Sequence, residues 1–155
     1  MRGLASVIRR GRRCESGAEL IEFALTMPIL LLVVLGIIEF GFLFREYEVI
    51  TNAAREGARI VVLPAYSKTD AQTRVNQYIT AAGLNLARAT VPLATGPTSV
   101  ALGGGKCVST FTQTVSYSHP VPFVGGIVTY FGATFGAATL NASSTMRSET
   151  AAVGC

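Results

Sequence analysis

The chain has 155 residues, enough for one domain with a leader or an anchor but not for two full domains. Half of the residues are hydrophobic and 14% are charged, whereas soluble globular proteins carry about a quarter charged residues. This composition excludes a disordered chain and argues against a wholly soluble one. The net charge of +4 lies entirely in residues 1–17, so the neutral remainder offers no surface for a nucleic-acid partner.

An apolar segment follows this arginine-rich leader. Residues 23–38 carry no charge, and only Glu39 interrupts the apolar stretch that reaches Phe44. As a helix, the stretch from Phe23 to Phe44 would be about 33 Å long, which matches a bilayer hydrocarbon core of roughly 30 Å. Because the arginines come first, the positive-inside rule predicts a cytoplasmic N-terminus and an extracytoplasmic domain over residues 45–155. A buried core helix is the alternative interpretation.

Small residues stand before the apolar segment, whereas an ordinary secretory signal has them after it. Cleavage between Gly17 and Ala18 would remove residues 1–17 and leave Glu22 as the fifth residue of the mature chain. The order of basic leader, glycine, short acidic segment and apolar helix resembles the class III signal of type IV pilins and pseudopilins. On this interpretation residues 18–44 form the transmembrane and assembly helix.

Residues on both sides of the apolar stretch narrow this resemblance. They are Gly17-Ala18-Glu19-Leu20-Ile21-Glu22-Phe23-Ala24-Leu25 followed by Pro28, and Asn52-Ala53-Ala54-Arg55-Glu56-Gly57-Ala58-Arg59. Over residues 17–63 the chain resembles the TadE-like family of the tight-adherence (Tad), Flp-type pilus system. A weaker resemblance returns over residues 140–149, and none is recognised over about 64–135.

The resemblance implies a minor pilin or pseudopilin that a prepilin peptidase cleaves and that takes part in assembly, initiation or surface attachment of a Tad pilus. It implies a single-pass protein of the bacterial inner membrane or of the pilus. The implied partners are the prepilin peptidase, the major Flp-type pilin, other TadE- or TadF-like minor pilins, the inner-membrane assembly platform and the lipid bilayer. Two other functions stay open: an uncleaved, signal-anchored adaptor or receptor module, and a minor pseudopilin of a type II secretion system.

The resemblance also implies roles for single residues. Gly17 and Ala18 would form the cleavage site, and Glu22 with Phe23 would act in assembly. The carboxylate of Glu22 would pair with the amine that cleavage creates on a neighbouring subunit. Its alternative role is that of an acidic residue near a helix N-terminus, where the helix dipole stabilises negative charge.

Glu39 lies near the outer end of the predicted span. Two interpretations stay open for its carboxylate, since it either reaches the headgroup region or contacts another membrane helix. Pro28 is grouped with Glu39 as a candidate for such a membrane-helix contact.

Beyond the span, hydrophobic residues recur at helical spacing and predict that the first helix continues to about Leu63, where Pro64 ends it. A second helix is predicted over about residues 68–82, because Ser67 and Asp70 have the spacing of a capping box. The stripe of the first helix comprises Leu43, Tyr47, Ile50, Ala54, Gly57 and Val61.

Alternating residues predict strands over about 107–118 and 139–147, with a shorter strand near 99–102 and a turn at the glycines 103–105. The predicted fold is therefore α+β and pilin-like. A long N-terminal helix spans the membrane and continues outside it, and a second helix packs on a small antiparallel sheet. Phe111, Val115 and Tyr117 share one predicted face of the first long strand.

Residues 120–145 carry no charge, but their glycines and prolines disfavour a second membrane span. We expect a loop or short helix there, which either covers the sheet or forms an apolar patch for a partner. The second span is the less favoured alternative. The side chains expected to be exposed are Val124, Ile127, Tyr130, Phe131 and Phe135.

The residues give no support for catalysis, a metal site or a cofactor. His119 is the only histidine, and the sequence places no acid beside it, so it is predicted to be a polar residue at a strand end. The three cysteines are scattered, which is unlike a metal site. Cys14 would leave with the leader, whereas Cys107 and Cys155 would lie in an oxidising compartment.

We expect Cys107 and Cys155 to form a disulfide. It would close a loop of 49 residues, and the chain-entropy model gives such a loop roughly 4 kcal/mol of stabilisation. The alternatives are two unpaired thiols and a disulfide to another subunit.

Overall fold

In a computed structural model, the fold consists of one long helix and a small domain built on an antiparallel sheet. We call the part from Lys68 to Arg147, together with the end of the long helix that packs on it, the sheet domain. The structure describes the backbone of residues 4–130, 132 and 136–148, and the side chains of those residues from Gly17 onward except that of Tyr130. The fold is α+β, as predicted. Its elements are α1 (Leu4–Val61), α2 (Lys68–Ala81), β1 (Ala89–Thr90), β2 (Thr95–Gly103), β3 (Lys106–His119), α3 (Pro122–Tyr130) and β4 (Ala138–Arg147), with a 3₁₀ turn at Leu86–Arg88.

The N-terminal part of α1 projects its apolar side chains away from the rest of the described chain. Exposed fractions reach 70% at Leu20, 68% at Ile29 and 66% at Phe40. Among the described residues, Gly17–Val61 is the one helix long and apolar enough to cross a membrane. This exposed apolar helix is consistent with a single-pass membrane anchor.

The C-terminal part of α1 ends two residues before the predicted Leu63. A turn follows Val61, in which the amide of Leu63 donates to the carbonyl of Ile60 at 3.1 Å. Pro64 comes next, and its ring is incompatible with a continuing helix. The predicted position of the helix end is thus confirmed to within two residues.

Capping residues at both ends determine where α2 begins and ends, as the sequence predicted. The Ser67 hydroxyl accepts from the amide of Asp70 at 3.2 Å, and the Asp70 carboxylate accepts from the amide of Ser67 at 2.8 Å. The Ser67 hydroxyl also donates to the Asp70 carboxylate at 2.6 Å, and this hydrogen bond holds the pKa of the Asp70 carboxyl below its ordinary value. At the other end Gly83 adopts a φ of 78°, and the amide of Leu84 donates to the carbonyl of Ile79. This pattern is a Schellman motif.

The sheet is antiparallel and centred on β3. β4 pairs along one edge of β3, and β2 and β1 pair one after the other along its opposite edge. Gly104 and Gly105 connect β2 to β3 with φ values of 62° and 71°, which a two-residue hairpin turn requires. Both predicted long strands and the predicted glycine turn are confirmed. β2 is longer than the predicted short strand, and β1 was not predicted.

The core lies where α1 packs against α2 and against one face of β3 and β4. Gly57 permits this close approach, because a Cβ atom there would lie 2.5 Å from Val75 Cγ2 and 2.8 Å from Gln113 Cγ. Alanines at positions 53, 54 and 58 are fully buried around it. The main core cluster comprises Ile50, Ala53, Ala54, Val75, Ile79, Leu84, Val115, Tyr117 and Ala142.

The uncharged segment after β3 begins with α3, a short helix of nine residues. At 1.5 Å per residue it is about 13 Å long, too short to cross a bilayer. Val124 and Ile127 are half-buried, because α3 packs against α1. Phe131 and Phe135 lie outside the described residues, as does the side chain of Tyr130.

Cys107 is buried at the start of β3 and is disulfide-bonded. Cys14 has no described side chain, and Cys155 lies outside the described residues. The pairing of Cys107 with Cys155 therefore stays a prediction.

Candidate functional site

The four residues predicted for cleavage and assembly lie on the exposed N-terminal part of α1. Ala18, Glu22 and Phe23 are exposed, and no atom outside the helix backbone lies within 4 Å of a Cβ placed on Gly17. Among the described side chains, none forms a hydrogen bond or an ion pair with the Glu22 carboxylate. The hydroxyl of Thr26 donates to the backbone carbonyl of Glu22 at 3.0 Å, so the hydroxyl has a hydrogen-bond partner within the apolar stretch.

Pro28 and Glu39 differ in their surroundings. Pro28 is exposed inside α1, and the helix continues through it. Glu39 is only 4% exposed, although it lies among exposed apolar side chains. The carboxylate contacts two other elements of its own chain, an environment that neither interpretation of the sequence included.

Glu39, Glu46 and His119 form a compact group that we call the acid–histidine cluster. His119 Nε2 lies 3.0 Å from Glu39 Oε1, and His119 Nδ1 lies 2.7 Å from Glu46 Oε2. The two glutamates are seven positions apart, about two helical turns, so they project from the same face of α1. His119 is the last residue of β3 and points toward that face.

The cluster needs one proton beyond those of a neutral imidazole and two carboxylates. A neutral imidazole has one N–H and one lone pair, so it can donate to only one carboxylate. Both short contacts are hydrogen bonds when His119 is an imidazolium or when one carboxyl is protonated. With an imidazolium, the buried charge of Glu39 has a direct counter-charge.

Glu39 also binds the first turn of α3. Its Oε2 atom accepts a hydrogen bond from the amide of Phe123 at 3.0 Å. The first amides of a helix have no partner within the helix, so a carboxylate at this position satisfies one of them and interacts favourably with the helix dipole. The carboxylate of Glu39 thus joins α1 to both β3 and α3.

The sequence interpretation that no acid lies beside His119 was wrong. The two contacts join residues 73 and 80 positions apart, and no local pattern encodes such a pairing. One signal was available, since an ionisable residue inside an apolar stretch needs a partner and His119 was an unassigned ionisable side chain at a strand end. The structural role predicted for His119 is compatible with this geometry, because both ring nitrogens are engaged.

The stretch from Asn52 to Arg59 combines packing with a surface ion pair. Glu56 accepts from Arg59 Nε at 2.9 Å and from Arg74 Nε at 3.2 Å, which joins α1 to α2. The hydrogen bond from Arg59 is the largest influence on Glu56 and lowers its pKa from 4.5 to about 2. Burial of Glu56 opposes this shift, and Arg74 adds to it.

We expect the Glu56 contacts to stabilise the fold in a pH-dependent way. Because the folded pKa of about 2 lies below the ordinary 4.5, the stabilisation is complete above about pH 4.5 and is lost as the pH falls toward 2. Exposed pairs contribute at most about 1 kcal/mol, so the effect is small.

Thermal unfolding of the full chain in detergent micelles measures this effect. Glu56→Gln should melt slightly below the parent near neutral pH and together with it at pH about 2. A difference in melting temperature that persists unchanged in acid would contradict the assignment.

The TadE-like protein family matches residues 17–59. No curated protein and no solved structure matches the chain. The matched residues include Glu22, Glu39 and Glu46 and end before α2, so the sheet lies outside the match. The match associates the chain with the Tad pilus in general terms.

Proposed function

We propose, since this chain carries a TadE-like segment over residues 17–59, that it is a minor pilin or pseudopilin of a Tad pilus. A prepilin peptidase removes residues 1–17, α1 anchors the mature chain in the inner membrane, and the sheet domain lies on the extracytoplasmic side. The observation that carries the proposal is the placement of Glu22 on an exposed apolar helix, five residues after a glycine with open surroundings.

The surroundings of Glu22 support an assembly role. The carboxylate is exposed among apolar side chains such as Leu20 and Phe23 and has no partner among the described side chains. A charged residue inside a membrane costs several kcal/mol unless it is paired or reaches water. Cleavage after Gly17 would leave a positively charged amine on Ala18. The same amine on a neighbouring subunit would form an ion pair with the carboxylate of Glu22.

The partners follow from this role. The peptidase would read the segment around Gly17, and the exposed apolar face of α1 would contact lipid first and the helices of pilin subunits afterwards. The major Flp-type pilin, other TadE- or TadF-like minor pilins and the assembly platform of the inner membrane are the proposed partners.

A structural role is proposed in preference to an enzymatic one. The acid–histidine cluster has one buried carboxylate, that of Glu39, but each ring nitrogen of His119 already contacts a carboxylate of the same chain. A catalytic histidine needs one ring nitrogen available to the substrate. The arrangement therefore favours a clamp between elements over a general base.

Replacement of Glu22 tests the assembly role. In the native host, Glu22→Ala should leave membrane insertion and leader removal intact, while the chain fails to associate with pilin subunits and piliation is lost. Glu19→Ala is the matched control, because Glu19 is also an exposed acid one turn earlier on α1, and we expect normal assembly from it.

Electron microscopy counts the pili, and co-purification measures the association of each variant with pilin subunits. Normal assembly of Glu22→Ala would return this residue to the role of a helix-terminus acid. The adaptor or receptor alternative would be favoured if the chain keeps its leader, stays anchored and does not associate with pilins.

A further inference from the structure

α3 is held against α1 at the level where the apolar stretch of α1 ends. The rings of Phe42 and Phe123 stack with centroids 6.4 Å apart and an angle of 17° between their planes. One turn away, the amide of Phe123 donates to Glu39. Both contacts attach the first turn of α3 to the outer end of the predicted span.

The helical rise of α1 gives the depth of this contact. Phe42 lies 19 residues after Phe23, the first residue of the apolar stretch, which corresponds to about 28 Å along the helix. A bilayer hydrocarbon core is about 30 Å thick. If α1 spans the bilayer, the first turn of α3 therefore lies at the boundary between acyl chains and headgroups.

The outward stripe of α3 offers nothing that requires water. It comprises Pro122, Phe123, Gly126 and Thr129, and no residue of α3 is charged. Phe123 is 41% exposed in spite of its stack on Phe42. The one hydroxyl of the stripe donates back to the carbonyl of Gly125 at 2.7 Å. The hydrogen-bonding capacity of the outward side chains is thus satisfied within the helix.

We propose that α3 is an interfacial membrane helix, whose outward stripe inserts into the outer leaflet beside α1. Its surface adjoins Phe42 of α1, which is 46% exposed and stacks on Phe123. An apolar side chain at this depth gains free energy from leaving water. The chain therefore contacts the bilayer through both α1 and α3. Glu39 of α1 connects the two helices through the amide of Phe123, and it also contacts His119 at the end of β3.

This proposal goes beyond the pilus role and depends only on α1 as the anchor. Lipid is favoured over a protein partner because the stripe adjoins the span and lies at membrane depth. A second copy of this chain that covers the stripe is the alternative that the experiment below identifies.

The chain lacks tryptophan, so one introduced indole reports its own surroundings. Three variants of the full chain are compared in phosphatidylcholine–phosphatidylglycerol vesicles. Phe123→Trp tests the stripe, Leu30→Trp reports a position within the span, and Leu102→Trp is the exposed control. Leu102 lies near the far end of β3 from His119, and thirteen residues at about 3.3 Å each place it about 43 Å away along the strand.

Lipids with a doxyl quencher near the headgroup, lipids with the quencher deep in the acyl chain, and aqueous acrylamide separate the outcomes. We expect shallow doxyl lipid to quench Phe123→Trp most strongly, with emission well to the blue of Leu102→Trp and little quenching by acrylamide. Deep doxyl lipid should quench Leu30→Trp, and neither lipid should quench Leu102→Trp.

Acrylamide quenching of Phe123→Trp as strong as that of Leu102→Trp would overturn the proposal. Shielding from both acrylamide and doxyl lipid would overturn it in favour of a second copy of the chain that covers the stripe. Absence of doxyl quenching in Leu30→Trp would overturn it together with the anchor. If Phe123→Trp does not fold, Gly126→Trp decides the question by the same criteria, because a Cβ there meets no atom within 4 Å.

Discussion

Replacement of His119 by alanine should destabilise the sheet domain and α3 by about 3 kcal/mol, because it leaves the buried carboxylate of Glu39 without its hydrogen bond to the ring. The variant leaves the carboxylates of Glu39, which is 4% exposed, and Glu46 without the ring nitrogens that they contact. The same carboxylate of Glu39 accepts the hydrogen bond from the amide of Phe123, so loss of the ring also disturbs the contact with α3. Denaturant unfolding of the full chain in detergent micelles measures the loss.

A double variant separates this explanation from loss of packing. Glu39→Gln combined with His119→Ala removes the unpaired charge and keeps an oxygen for the amide of Phe123, so most of the lost stability should return. A cost below about 1 kcal/mol for His119→Ala, or a double variant that is less stable than the single one, would contradict the role of the cluster.

Replacement of Gly57 by leucine should cost about 3 kcal/mol, near the upper end of the effects of overpacking. Even the first carbon of a side chain there would lie 2.5 Å from Val75 Cγ2, and Gln113 closes the other side. Leucine improves helix propensity over glycine by only about 1 kcal/mol, which does not offset the clash. The helix α1 would have to move away from α2 and β3.

Gly41→Leu is the matched control on the same helix. Gly41 is exposed, and a Cβ there meets no atom within 4 Å, so we expect Gly41→Leu to be at least as stable as the parent, with a gain of up to about 1 kcal/mol from helix propensity. Equal stability of Gly57→Leu and Gly41→Leu would show that the close approach at Gly57 is not required.

The elements with local signals were predictable from the sequence. The capping box of Ser67 and Asp70 marks the start of α2 because its hydrogen bonds join residues three positions apart. Pro64 marks the end of α1 for a similarly local reason. β3 and β4 were predictable because one face of each strand packs against α1, so polar and apolar residues alternate.

The contacts between distant elements were not predictable in the same way. β1 has only two residues, and its pairing with Tyr117 depends on β3 being in place. The acid–histidine cluster joins α1 to the far end of β3, and neither segment alone carries its signal. Strand alternation did contain one unused clue, because Gln113 and His119 share the parity of Val115 and therefore point to the buried face.

The matched segment and the unmatched sheet differ in what they reveal about function. Residues 17–59 carry both the TadE-like match and the side chains that the proposed function uses. The contacts of the sheet with that segment at Glu39, Glu46 and Gly57 emerge only from the fold. Alanines and Gly57 in the matched segment provide the close packing surface, which explains why small residues are needed there.

The N-terminus of the protein in its native membrane tests the central claim most directly. Mass spectrometry of the chain taken from the envelope of the native host should find a mature protein that begins at Ala18, and Gly17→Trp should keep its leader. A native chain that retains residues 1–17 would contradict processing by a prepilin peptidase, and with it the assignment to pilus assembly.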